Sequence, residues 1–402
     1  MRSDGELMLG GLLAANHLMA MEDLPRVVAE HAALVGFSES VLYVTDLQQQ
    51  LLVPLPEQRD SSGAPLLPLR IDGTLAGLAF RNAKVVQAPD VPGDAARRLW
   101  LPLLDGTERV GVLGVTVPDD GEISSWRARQ LASLIAVLVI SKRPHSDSYA
   151  RLVRAHPMTL SAEVLLPLLP PGTFANDEVV VSAVLEPAYE VGGDSFDYAI
   201  DGDTLHVSIF DAMGHDTSAG LTATVAVGAS RNSRRQGGDL VGTGERIDAA
   251  IAEQFTGRFA TGVLAELDLR TGRLAWVNRG HHPPLVIREG QRVATLAGEP
   301  DPPMGFRMGQ DTGELHYQLQ PGDRLVFYTD GIIEAQSPDG ELFGLERFID
   351  FIIRHEADGL SAPETLRRLV QAILEHQHGR LQDDATVLVV EWRSSRHQRL
   401  VM

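Results

Sequence analysis

Residues 190–216, EVGGDSFDYAIDGDTLHVSIFDAMGHD, set two acidic positions around one short strand. Asp194 follows Gly192-Gly193, where a backbone without Cβ atoms bends tightly and lets another group come close. Leu205, Val207 and Ile209 alternate with His206 and Ser208, the period of a half-buried strand. The strand is expected to end at Asp211, directly before the small run Ala212-Met213-Gly214. A carboxylate at a strand end, facing another at a glycine turn, is an arrangement that fixes oxygen ligands for a hard cation. Aspartates also sit at strand ends as plain turn formers, for local hydrogen-bonding reasons. This stretch alone leaves both readings open.

With 402 residues the chain is longer than one ordinary core, so two domains are expected. A hydrophobic content of 44% with 22% charged residues describes a globular protein. The formal net charge of -19 argues against nucleic acid or an anionic membrane as the main partner and suits recruitment of divalent cations. Cysteine is absent, which excludes disulfides, thiolate zinc sites and cysteine nucleophiles and is compatible with a reducing cytoplasm. Asp4 and Glu6 stand where a signal peptide would carry basic residues. The most apolar run, residues 131–140, is shorter than the ~20 residues needed to cross a bilayer and reads as a buried helix.

In the first third, residues 24–35 have helical spacing, 40–44 read as a strand and 73–80 as a second helix. Residues 84–87 read as a short strand. Runs 100–104 and 110–117 flank the turn Asp105-Gly106 as a hairpin, and 125–140 close the unit as a helix capped by Ser124 or Ser125. This α+β unit resembles a GAF sensory domain, through Leu78-Ala79-Phe80, Val85-Val86, Leu101-Pro102-Leu103 and Gly111-Val112-Leu113-Gly114-Val115. The resemblance implies a small-molecule or protein signal. A ligand-free dimerisation module has the same pattern.

Residues 141–148 read as a boundary, followed by a helix-like connector broken by Pro157 and Pro167. Beyond it, strands at 179–185, 262–276, 285–287, 293–296, 315–319, 324–328 and 385–391 alternate with helices at 218–230, 245–255, 345–354 and 362–375, the last capped by Ser361. Such grouping suggests stacked sheets with helices outside. The expected division is an N-terminal helical segment (1–22), the GAF-like domain (23–141), a connector (142–173), a second domain (174–393) and a tail (394–402).

Asp211 and Asp330 each end an apolar strand and precede small residues, Asp194 lies at a glycine turn, and Asp383 opens a strand. If those ends converge, several carboxylates share one site and repel unless cations neutralise them. Oxygen ligands alone favour Mg²⁺ or Mn²⁺ over zinc. A pair of such ions activates water for attack on a phosphoryl group without a protein nucleophile.

Residues 178–391 resemble the catalytic domain of PPM-type serine/threonine phosphatases, in the bacterial SpoIIE-like branch. The resemblance rests on Pro187-Ala188, Val191-Gly192-Gly193-Asp194, Asp197 and Asp211-Ala212-Met213-Gly214-His215. Further on it rests on Phe259-Ala260-Thr261, Asn278-Arg279-Gly280-His281-His282-Pro283-Pro284, Pro303-Met304-Gly305, Tyr328-Thr329-Asp330-Gly331 with Glu334, and Asp383-Asp384-Ala385-Thr386. It implies an αββα sandwich binding two or more Mn²⁺ or Mg²⁺ ions. Asp194, Asp211, Asp330 and Asp383 would be ligands acting through a metal-activated water, Ala212 would offer its carbonyl, and Asp384 would stand behind them or on a further ion. Asp197 would support the turn.

Asp216 stands where the family usually has glycine, and its charge is expected to alter metal affinity. His281 and His282 fit packing better than metal binding, and His215 is read as structural. Arg231, Arg234 and Arg235 form a basic cluster suited either to a phosphorylated partner or to a solvated helix end. The resulting expectation is a cytoplasmic, homodimeric two-domain regulator acting on a phosphorylated anti-anti-sigma factor. It would engage neither nucleic acid nor membrane. A scaffold that keeps the fold without catalysis is the rival reading.

Overall fold

A computed structural model describes residues 3–60, 62–89, 95–187, 189–309, 312–378 and 381–393. Ala188 and the expected tail 394–402 lie outside these residues. The chain divides into two compact units, Met1–His156 and Pro157–Met402, so the expected connector 142–173 is shared between them.

In the first unit, α1 (Asp4–Asn16) and α2 (Leu24–Ala32) precede β1 (Ser38–Thr45), β2 (Leu51–Pro54) and β3 (Leu69–Arg70). Then come α3 (Leu75–Asn82), β4 (Val86–Gln87), the hairpin β5 (Arg97–Asp105) and β6 (Glu108–Val117), α4 (Glu122–Lys142) and α5 (Asp147–Leu152). The sheet runs β3-β2-β1-β6-β5-β4. Leu42 and Val44 of β1 join the core beneath α1, α2 and α4, while Tyr43 between them faces Ile71, Ala76 and Phe80 on the side of α3. Alternation on β1 thus feeds two separate cores.

Helix α4 begins at Glu122 with Gly121 at its N-cap, not at Ser124 or Ser125. The Asp119 carboxylate accepts the Gly121 N–H, and Ser124 is buried inside the first turn, which displaces it from the capping position. With its following turn this helix spans Glu122–His145, 24 residues, long and apolar enough by length and composition to cross a membrane. The expectation of a short apolar run therefore understates it. Leu131, Ile135, Leu138 and Val139 lie in the core of the unit.

The second unit opens with α6 (Leu160–Leu165), β7 (Thr173–Ala175) and β8 (Val179–Glu186). The hairpin β9 (Asp194–Asp201) and β10 (Thr204–Ala212) leads into α7 (Thr217–Arg235) and α8 (Leu240–Gln254). Six strands follow: β11 (Ala260–Asp268), β12 (Arg273–Arg279), β13 (Leu285–Arg288), β14 (Gln291–Thr295), β15 (Leu315–Gln318) and β16 (Arg324–Tyr328). The short α9 (Asp330–Ile333), α10 (Leu345–Ala357), α11 (Ala362–His376) and β17 (Ala385–Trp392) complete it.

Two antiparallel sheets result, ordered β15-β12-β11-β10-β9 and β14-β13-β16-β17-β8-β7. Leu325 and Phe327 of β16, with Leu388 and Val390 of β17, join the core shared with the first sheet and α7 and α8. Val326, Tyr328, Val387 and Val389 point the other way, to Phe348, Ile352, Leu366 and Ile373 of α10 and α11. The period of two on each strand thus makes the expected αββα sandwich.

Candidate metal centre

Two strand ends on one sheet bring the first pair of carboxylates together. In the β9–β10 hairpin every residue from Asp201↔Thr204 onward pairs without a slip, ending with Asp194 opposite Asp211. Asp211 also faces Thr261 on β11. The other sheet supplies Asp330, the first residue of α9 after β16, and Asp383 and Asp384, just before β17. These two segments touch through their backbones: a Cβ on Gly331 would lie 1.8 Å from the Asp384 carbonyl oxygen, so only glycine fits there.

Asp384 clasps the turn ahead of β9. Its carboxylate accepts the N–H groups of Gly192 (2.7 Å), Gly193 (2.8 Å) and Asp194 (3.1 Å). Thr329 makes a second tie: its hydroxyl donates to Asp194 Oδ2 at 2.6 Å and accepts the Thr386 N–H at 2.9 Å. Both Asp194 and Thr329 are fully buried. The position of Asp194 is therefore set by residues 135 and 190 places further along the chain. Thr329 escaped the sequence reading as a contributor in its own right; its place directly before Asp330 was the available signal.

Asp194, Asp211, Asp330, Asp383 and Asp384 line one cavity of about 320 Å³, with Gly193, Met213, Gly214, Phe259 and Thr261 completing the wall. Ala212 is buried next to that wall, with its carbonyl oxygen 2.0 Å from where a Gly193 Cβ would stand. Burial, and then the charges of Asp211 and Asp384, push Asp194 well above the ordinary carboxylate range. Burial followed by Asp330, Asp383 and Asp384 pushes Asp211 up to about 7. Asp384 rises to about 6 by burial, against the pull of its three N–H donors, and Asp383 is also raised, mainly by burial.

The cavity wall contains no lysine, arginine, histidine or cysteine among the described residues. The charged groups on that wall are all carboxylates, which fits Mg²⁺ or Mn²⁺. Among the described residues no three acidic or imidazole groups already meet at the spacing of a single ion. Mg²⁺ ordinarily takes one or two carboxylates and keeps several waters, so ligands spread around a cavity suit it.

The remaining candidates have structural roles. Asp197 is buried and bonded to Arg231 (2.6 Å) and Arg234 (3.0 Å), so it ties β9 to α7. Those two arginines are used inside the domain, and only Arg235 of the cluster is exposed at the helix end. Asp216 caps α7 by accepting the Ala219 N–H and pairs with Arg258, whose guanidinium also donates to the Met213 carbonyl. Its charge is thereby matched locally. His281 is buried between Thr261 Oγ1 (2.8 Å) and the Tyr328 carbonyl (3.1 Å), linking the two sheets; burial lowers its pKa to about 3. His282 stacks on Tyr328, and His215 is exposed.

Residues 201–393 match the family model described as stage II sporulation protein E (SpoIIE). Protein IcfG of Synechocystis sp. is 25% identical over 243 residues, covering 52% of this chain and 37% of that protein. Phosphoserine phosphatase RsbP of Bacillus subtilis is 23% identical over 223 residues, covering 53% of each. The chain thus spans about half or less of these curated relatives. Among solved structures, the SiaA-PP2C domain of Pseudomonas aeruginosa aligns at 23% identity with a TM-score of 0.46, over 52% of this chain and 85% of that one.

Proposed function

We propose, on the premise that residues 201–393 are a SpoIIE-type PP2C phosphatase domain, that this chain is a metal-dependent protein serine/threonine phosphatase. The observation carrying this is the gathering of Asp194, Asp211, Asp330, Asp383 and Asp384 around one cavity from two sheets. Asp194, Asp211, Asp330 and Asp383 would hold the ions. When bound, Mg²⁺ or Mn²⁺ lowers the pKa of a coordinated water and neutralises phosphoryl oxygens for in-line attack.

The chain's own part is placement and charge. Asp384 and Thr329 fix Asp194, so that ligand does not relax when charge moves through the site. Met213 and Phe259 supply the apolar part of the cavity wall. Thr261, on the cavity wall, is oriented by its hydrogen bond to the buried His281.

The substrate in this reading is a phosphoserine or phosphothreonine on a regulatory protein, of the anti-anti-sigma type used in partner switching. RsbP, named a phosphoserine phosphatase, supports the residue class. The first unit would act as a GAF-like regulatory domain receiving a small-molecule or protein signal, in a cytoplasmic homodimer. The test is hydrolysis of p-nitrophenyl phosphate and a phosphoserine peptide with Mn²⁺ and with EDTA. Turnover is expected only with the ion and is expected to disappear in Asp211→Asn. Turnover that survives chelator, or survives Asp211→Asn, refutes the mechanism.

A further inference from the structure

We infer that the apolar rim beside the carboxylate cavity docks the phosphoprotein substrate, seating a bulky apolar side chain close in sequence to its phosphorylated residue. This rests on the phosphatase reading above. Met213 and Phe259 belong to the cavity wall. Phe259 packs against Phe306, with ring centroids 5.0 Å apart, and Met308 follows two residues further on, also exposed. Met213 and Phe306 are 39% and 44% exposed, so apolar side chains stand open to solvent beside an acidic cavity, and Met308 is 69% exposed.

The exposure of Phe306 is imposed by an anchored loop. Met304 exchanges both backbone hydrogen bonds with Ala260, at 2.8 Å each. The buried Asp248 carboxylate accepts the N–H groups on either side of Phe306, those of Gly305 and Arg307. Gly305 has φ +126 and would bring a Cβ to 2.4 Å from the Arg258 carbonyl, so its conformation demands glycine. A half-exposed aromatic ring on a fixed loop at a cavity mouth is a recognition feature.

The occupant follows from continuity and charge. Whatever covers this rim while a phosphoryl group sits in the cavity is the segment that carries the phosphoryl group. A chain of net charge -19 does not draw an anionic phosphoryl group to itself over long range. Arg258, beside Met213, is already paired with Asp216. Short-range apolar contact is what the rim offers instead.

The experiment compares p-nitrophenyl phosphate with two phosphoserine peptides, using the 402-residue chain with Mn²⁺. The peptides are identical except for leucine or serine at the second residue on either side of phosphoserine. Wild type should prefer the leucine peptide by about tenfold in kcat/KM. Phe306→Ala and Met308→Ser should each lose most of that preference through KM, with turnover of p-nitrophenyl phosphate changed by less than about twofold. The inference is overturned if wild type shows no preference, or if the variants depress all three substrates alike. It is also overturned if Phe306→Ala turns a concentration-dependent dimer into a monomer without touching the kinetics, since a second copy then covers the rim. Wild type that leaves p-nitrophenyl phosphate intact refutes the phosphatase reading, and the docking surface with it.

Discussion

Replacing Asp211 by asparagine should stabilise the metal-free protein. In the folded chain Asp211 is pushed up to about 7 by burial and then by the charges of Asp330, Asp383 and Asp384. In the unfolded chain it returns to about 3.9. A carboxyl whose folded pKa lies above its unfolded one binds more protons when folded, so its charge costs stability wherever both states are ionised. That cost is complete above pH 7, shrinks as pH falls from 7 towards 4, and vanishes below. Each tenfold change in proton affinity is about 1.4 kcal/mol. Removing the charge is therefore worth about 2–4 kcal/mol at pH 8 and less than half of that at pH 5. Urea unfolding of wild type and Asp211→Asn in EDTA, across that range, measures the difference. Mn²⁺ at a thousandfold excess over Kd should cancel or reverse that difference, because about 4.1 kcal/mol then accrues to wild type and little to the variant. An asparagine variant that is less stable than wild type at pH 8 in EDTA, or equally offset at every pH, refutes the picture of an uncompensated carboxylate cluster.

Asp384→Ala strands three backbone N–H groups and should cost about 3–5 kcal/mol of stability, whereas Asp384→Asn keeps an acceptor and should cost about 1; denaturant melts separate them. Gly331→Ala drives a Cβ into the Asp384 carbonyl and should destabilise by about 3 kcal/mol or more, with loss of Mn²⁺-induced stabilisation in a thermal melt. Asp216→Ser should retain the cap on α7 while Asp216→Ala lowers Tm, and neither should move Mn²⁺ affinity by more than about twofold, read by titration.

Much of the sandwich was legible because its strands obey simple periods. Val326 and Tyr328 against Leu325 and Phe327 is an alternation with a consequence on each face. The four carboxylates were legible for a related reason: Asp211 and Asp330 follow apolar strands and precede small residues, Asp194 lies at a glycine turn, and Asp383 stands just before a strand. Strand β9 was not, because its first five residues are all buried and include Ser195 and Asp197, so alternation is absent. Asp197 tolerates that burial only through Arg231 and Arg234, arginines 34 and 37 residues away that read locally as a free basic cluster. Asp384 was ambiguous for the same reason. Its partners are backbone groups, and no side-chain pattern advertises a clasp across 190 residues. The cap of α4 shows the opposite failure, where a locally good candidate, Ser124, loses to packing.

That clasp also imposes a schedule on synthesis. Asp211 leaves the ribosome 172 residues ahead of Asp383 (383 − 211), and at ~5–20 residues per second the interval is roughly 9–35 seconds. Throughout it the emerging hairpin has no Asp384 to hold its glycine turn and no second sheet to complete the cavity. A nascent chain thus lacks the complete carboxylate cavity until β17 and the residues before it have been made.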